Sequence, residues 1–149
     1  MVIRNKIELF TDGACKGNPG LGGWGVLIIN SKILNELKGI QQQTTNNRME
    51  LIAVIKGLKS IQESADIEIT TDSMYVNNGI NQWIDNWKNN GWKTAAKKPV
   101  KNKDLWQELD ELVQNYSIKW IWVKGHSGHP GNERADQLAN EAIDRKSVV

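Results

Sequence analysis

The feature that most constrains this chain is a change of hydrophobic period near residue 45. Before it, apolar residues alternate or come in short bursts: Ile7-Glu8-Leu9-Phe10-Thr11-Asp12, then Gly23-Trp24-Gly25-Val26-Leu27-Ile28-Ile29, then a stretch within Ile33–Gln43. After it, Leu51, Ile52, Val54, Ile55, Leu58 and Ile61 recur at helical spacing. The first pattern predicts three strands, separated by the turn signals Asn18-Pro19-Gly20 and Asn30-Ser31. The second predicts a helix, with N-cap oxygens offered by Thr44-Thr45-Asn46. The remainder alternates. Ile67–Asp72 predicts a fourth strand, and Ser73 can cap the helix that follows. A short helix is predicted around Trp83–Lys88, broken by Gly91. Asp104–Asn115 predicts a further helix, Ile118–Val123 a fifth strand, and Pro130 opens a last helix after the glycine-rich loop Gly125–Gly131. Strands and helices in this order imply an α/β fold, a mixed sheet with helices on its faces. A right-handed crossover would set the fourth strand parallel to the first.

A length of 149 residues suits one domain, 1–149, and no repeat, low-complexity tract or linker divides it. Hydrophobic residues at 39% and charged residues at 24% are ordinary for a globular protein. No run approaches the ~18 apolar residues of a membrane span, and the opening residues carry no signal-peptide stretch. The sole cysteine, Cys15, excludes an intrachain disulfide and a Cys-rich zinc site. The expectation is a cytoplasmic protein with no membrane partner. The net charge of +2 is too small to announce a polyanionic partner, but its distribution is uneven. Residues 88–103 hold six lysines (Lys88, Lys93, Lys97, Lys98, Lys101, Lys103) and no acid, beside Trp83, Trp87 and Trp92. With Pro99, the segment from about 82 to 103 reads as a basic protrusion.

Four acids occupy suggestive places. Asp12 is predicted to end the first strand and Asp72 the fourth. If those strands are parallel neighbours, both carboxylates emerge at the edge where open α/β sheets bind ligands. Glu50 lies on the first helix, off the stripe of Leu51, Val54 and Leu58, and Asp136 lies early in the last helix. Singly, each has an ordinary reading: turn chemistry for Asp12 and Asp72, a surface helix glutamate for Glu50, a favourable helix-start charge for Asp136. Converged, four acids without matching cations would repel one another unless a bound cation neutralised them. Oxygen-only ligands suit Mg²⁺ or Mn²⁺.

The ordered set Asp12-Gly13-Ala14, Thr45-Asn46-Asn47-Arg48-Met49-Glu50, Thr71-Asp72-Ser73, Gly125-His126-Ser127-Gly128-His129-Pro130 and Asn132-Glu133-Arg134-Ala135-Asp136 resembles the type 1 ribonuclease H family in its free-standing bacterial form. The resemblance runs from about Lys6 to about Ala142. It implies a five-stranded mixed sheet of order 3-2-1-4-5. It implies a monomeric endonuclease that hydrolyses the RNA strand of RNA–DNA hybrids, leaving a 5′-phosphate and a 3′-hydroxyl. Two Mg²⁺ ions per active site, or Mn²⁺, would be held by Asp12, Glu50, Asp72 and Asp136. His126 would help to move a proton or release product. Cys15, Asn18, Asn46, Asn47 and Met74 would meet the RNA strand across the minor groove, where the 2′-hydroxyl distinguishes RNA from DNA. Gln43, Thr45, Tyr75, Trp83, Trp87, Lys88, Lys97, Lys98, Lys101 and Asn102 would meet the DNA strand and its phosphates.

Each substrate contact has a second reading. Asn18, Asn46 and Asn47 serve equally as turn and cap residues, Trp83 and Trp87 as core, and His126 as a loop residue. A His126–His129 metal pair is disfavoured, because hard-ion sites prefer oxygen. Two departures from the family stand out. Gln43 occupies a place where relatives often carry an arginine, and Asn89-Asn90 a place where some carry further basic residues. Both predict a weaker hold on phosphate. Two other functions share parts of the pattern: a DNA-cutting or strand-transfer nuclease of the same superfold, and a hybrid-binding module without catalysis.

Overall fold

The computed structural model describes residues 5–125 and 127–148. Five strands form one sheet of order β3-β2-β1-β4-β5: β1 (Asn5–Gly17), β2 (Gly20–Asn30), β3 (Ile33–Thr44), β4 (Ala65–Thr71) and β5 (Ser117–Trp122). The first three pair antiparallel; β4 runs parallel to β1, and β5 parallel to β4. The sheet order and the strand directions are those expected.

The helices are α1 (Asn46–Lys59), α2 (Met74–Asn78), α3 (Ile84–Asn89), α4 (Lys103–Val113) and α5 (Pro130–Val148). Thr45 caps α1, its hydroxyl accepting from the Arg48 N–H at 3.3 Å. Leu51, Val54 and Leu58 of α1 are fully buried against Leu9, Val26, Ile67 and Ile69 of the sheet. Each such side chain removed from water contributes roughly 1.5–3 kcal/mol. On the same side α4 buries Leu105, Trp106 and Leu109. The opposite face carries α5, where Phe10 and Leu27 pack with Ala135.

Two elements depart from expectation. The first strand does not end at Asp12. It continues to Gly17, because β2 goes on pairing with it as far as Gly17↔Gly20 after β4 has stopped at Thr71. Asp12 is thus inside one ladder and just past the end of the other. The turn that joins β1 to β2 contains a cis Asn18–Pro19 peptide. The second departure is in the middle helix. The helix expected after Ser73 and the short helix expected around Trp83–Lys88 both form, as α2 and α3, but they are not separate: a π-helical turn, Gly79–Trp83, joins them. That turn lies against Trp106, whose ring would be 2.0 Å from a Cβ at Gly79.

Candidate active site

Close packing brings the acids together. At Gly13 an added Cβ would lie 2.6 Å from the backbone of Met49 and Glu50. The first turn of α1 therefore rests directly on β1, and the Gly13 N–H donates to Glu50 Oε1 at 2.7 Å. On the other face a Cβ at Gly25, the strand partner of Asp12, would lie 2.5 Å from the Ala135 carbonyl oxygen. That contact seats α5 so that Asp136 follows at the same end of the sheet. Asp72 comes directly after β4, whose last residue pairs with Thr11.

Oxygens of Asp12, Glu50 and Asp72 lie within 4.8 Å of one another. Asp136 lines the same cavity of about 350 Å³, held by Asn140, whose amide donates to Asp136 Oδ1 at 3.3 Å. All four predicted acids thus border one cavity, with Asp136 outside the tightest group. A larger cleft between β3 and α5 is lined by Lys38, Glu141, Asp144 and Arg145, but its Lys38–Glu141 contact at 3.1 Å already pairs opposite charges.

Asp12 and Glu50 are buried. Burial pushes the Asp12 carboxyl well above the usual carboxylate range, and the neighbouring charges of Glu50 and Asp72 push it further. Burial also raises Glu50, opposed by hydrogen bonds from Asp12 and the Gly13 N–H. Glu50 Oε2 is buried without a hydrogen-bond partner. A buried carboxylate oxygen left unpartnered among like charges is costly. The donor set, all oxygen and already close-spaced, fits a hard divalent cation.

The remaining predicted residues divide. Asn46, Asn47, Met74 and Tyr75 line the acidic cavity. Cys15 is half-buried nearby, its Sγ 3.4 Å from the Thr44 carbonyl oxygen, and Asn18 is exposed on the β1–β2 turn. Thr45 is the α1 cap, while Gln43 is exposed at a left-handed φ of 48° and does not line the cavity. Trp83 and Trp87 are half-buried in a pile of rings with Tyr75, Trp92 and Trp106, spaced 5.4–6.3 Å between centroids. They serve as core on one side whatever the other side does. Lys97, Lys98 and Lys101 are exposed, whereas Lys88 lies 3.4 Å from Asp110. Asn102 sits at a left-handed φ of 60° ahead of α4. His126 lies outside the described residues. His129 Nδ1 accepts from the Asn132 N–H at 3.3 Å, an end contact of α5 rather than a ligand.

Three residues near the site had no role assigned from sequence. Asn132 is buried and its amide approaches Asp72 Oδ2 at 3.5 Å. Trp122 donates its indole N–H to the Asp72 carbonyl at 3.1 Å and stays 43% exposed. Arg48 bridges α1 to α4 through Asp104. Asn132 and Arg48 stand inside recognisable motifs, but their partners lie 60 and 56 residues away and no local pattern announces them.

The family model described as RNase H matches residues 4–144. A ribonuclease HI of Pseudomonas putida (strain KT2440 among its designations) is 61% identical over 142 residues, covering 95% of this chain and 96% of that protein. A ribonuclease H of Hydrogenovibrio crunogenus is 62% identical over 139 residues, covering 93% and 96%. Among solved structures, LC9-RNase H1, a type 1 RNase H with the type 2 active-site motif, superposes with a TM-score of 0.87 at 32% identity, covering 97% of this chain and 74% of that one. LC11-RNase H1 in complex with RNA/DNA hybrid superposes at 0.73 with 25% identity, covering 94% and 98%. With the sheet order, the clustered acids and these likenesses together, the chain belongs to the ribonuclease H family.

Proposed function

We propose that this protein is an endoribonuclease that hydrolyses the RNA strand of RNA–DNA hybrids at the cavity bordered by Asp12, Glu50, Asp72 and Asp136. The observation that carries the reading is the convergence of buried Asp12 and Glu50, from β1 and α1, with half-buried Asp72 at the end of β4, and with Glu50 Oε2 unpartnered, in a chain of this family. The LC11 relative's complex with hybrid supports the substrate class. Those four acids would hold two Mg²⁺ ions, with Mn²⁺ as a substitute, and such a pair activates a water and stabilises the leaving oxygen of an in-line displacement.

The chain's own groups set the geometry. Gly13 fixes Glu50 through its N–H. Asn132 and Trp122 approach Asp72 from its side chain and its carbonyl. Asn46, Asn47 and Met74, at the cavity wall, face the RNA strand together with Cys15 and Asn18, reading 2′-hydroxyls and groove edges. Thr45, Asn102, Tyr75, Trp83 and Trp87 take the DNA strand. The lysines of the basic segment 82–103 hold phosphates, and Gln43 marks a contact that this chain lacks. His126 moves a proton at the leaving oxygen. The products are a 5′-phosphate and a 3′-hydroxyl. Residues 1–149 act as one monomeric domain in the cytoplasm. No helix among the described residues is long and apolar enough to cross a membrane.

The test is cleavage of a hybrid labelled on either strand, with and without Mg²⁺. The expected result is cutting of the RNA strand alone, dependent on the ion and abolished in a folded Asp12→Asn variant. Preferential cutting of duplex DNA, or no cutting with any divalent ion, would overturn the reading.

A further inference from the structure

Arg48 sits where the first turn of α1 meets the start of α4. Its guanidinium makes a two-pronged contact with Asp104, Nη1 to Oδ1 at 3.0 Å and Nη2 to Oδ2 at 2.8 Å. Nη1 also donates to Asn102 Oδ1 at 3.3 Å. The Asn102 amide nitrogen in turn donates to Tyr75 Oη at 3.0 Å, and that oxygen accepts a second hydrogen bond from Trp106 Nε1 at 2.9 Å. Two acceptances use both lone pairs of the phenol. The Tyr75 O–H is therefore left to donate, and Tyr75 lines the acidic cavity. Asn102 keeps one N–H, and the Thr45 oxygen already accepts from the Arg48 N–H, so the Thr45 proton is also available.

Three further donors thus belong to the network of a guanidinium whose fork is filled by a carboxylate: Asn102 directly against it, Tyr75 through Asn102, and Thr45 at the Arg48 backbone. The planar fork takes carboxylate and phosphate in the same two-pronged geometry. Asp104 is not locked in place: its side chain is 65% exposed, against 26% for Arg48. An exposed ion pair is a small obstacle to exchange. Asn102 and Asp104 directly follow the exposed Lys97, Lys98 and Lys101 in the chain.

We propose that Asp104 is an internal stand-in for a DNA-strand phosphate: it fills the Arg48 fork in the free protein and yields it when hybrid binds, so this ion pair lowers hybrid affinity and the steepness of its salt dependence. The inference rests on the hybrid-nuclease reading above. It also supplies, from the first turn of α1, the guanidinium that Gln43 does not provide.

The experiment measures binding of a short RNA–DNA hybrid, without divalent ions, to the full chain at several salt concentrations. Asp104→Asn is expected to bind about two- to fivefold more tightly, with log K against log salt steeper by up to about one. Glu111→Gln, the same charge change further along α4, should not match it. The gain should vanish in Arg48→Ala/Asp104→Asn. It should also vanish when one particular DNA-strand phosphate is replaced by a neutral methylphosphonate. Asp104→Ser stands in if Asp104→Asn misfolds. Equal affinity in Asp104→Asn and Glu111→Gln, a gain that survives loss of Arg48, or a gain lost only on RNA-strand replacement would each overturn the proposal. Failure of the wild type to bind hybrid would sink the nuclease reading itself, and is seen separately.

Discussion

Asp12 and Glu50 carry more negative charge than their surroundings can hold. Both carboxyls are raised, chiefly by burial and secondly, for Asp12, by the charges of Glu50 and Asp72. The linkage sign follows from that direction. Between the ordinary carboxylate value and the raised one, the folded state binds more protons than the unfolded state, so stability falls as pH rises through that window. Below the ordinary value both states are protonated and the penalty is absent. In metal-free solution, Asp12→Asn should therefore raise stability at neutral pH by roughly 1–3 kcal/mol, several degrees in Tm. The advantage should shrink towards pH 4 and when Mg²⁺ is added to the wild type. Thermal melts in chelator at several pH values measure this, and an Asn variant no more stable than wild type at pH 8 would contradict it. The acids were legible at this scale because each sits in a short motif, Asp12 and Asp72 at predicted strand ends, Glu50 and Asp136 on predicted helices. Arg48 was not, since its chemistry comes from Asp104, 56 residues away.

At the scale of elements, the order of the strands in the sheet was implied by the family resemblance, while the change of hydrophobic period sufficed to locate the first three strands and α1 along the chain. It failed where neighbours override local signals. Gly13 reads as a strand terminator, yet β1 passes through it, and its lack of a side chain is used instead to seat α1. Likewise the π-helical turn that joins α2 to α3 lies against Trp106, a contact that no local pattern announces. The crossing at Gly13 yields a sharp expectation. In Gly13→Ala the new methyl would sit 2.6 Å from the α1 backbone, so the helix must shift and carry Glu50 with it. Overpacking of this kind costs about 1–3 kcal/mol. Displacing Glu50 should lower hybrid cleavage by on the order of 10²-fold. Denaturant melts and cleavage rates, measured side by side, check both halves; a variant with wild-type kcat would show that Glu50 tolerates the movement.

For the whole molecule, a net charge of +2 conceals its layout: acids gathered at one end of the sheet, lysines gathered between α3 and α4. Replacing exposed Lys97, Lys98 and Lys101 together with alanine should weaken hybrid binding and flatten its salt dependence by about 2–3, since each phosphate no longer neutralised removes about 0.9 from the slope. Surface changes of this type should leave the melting curve nearly unmoved. Titrations across a salt series test it, and an unchanged slope would remove those lysines from the interface.

Gly13 on one side and Gly25 on the other leave the sheet a single backbone thick where the acids meet. Walls clamped from both sides have little room to breathe, so the crowding they create cannot be relieved by the scaffold giving way. Relief has to arrive as a guest. A framework that holds its discomfort in readiness is already shaped for the visitor before any visitor comes.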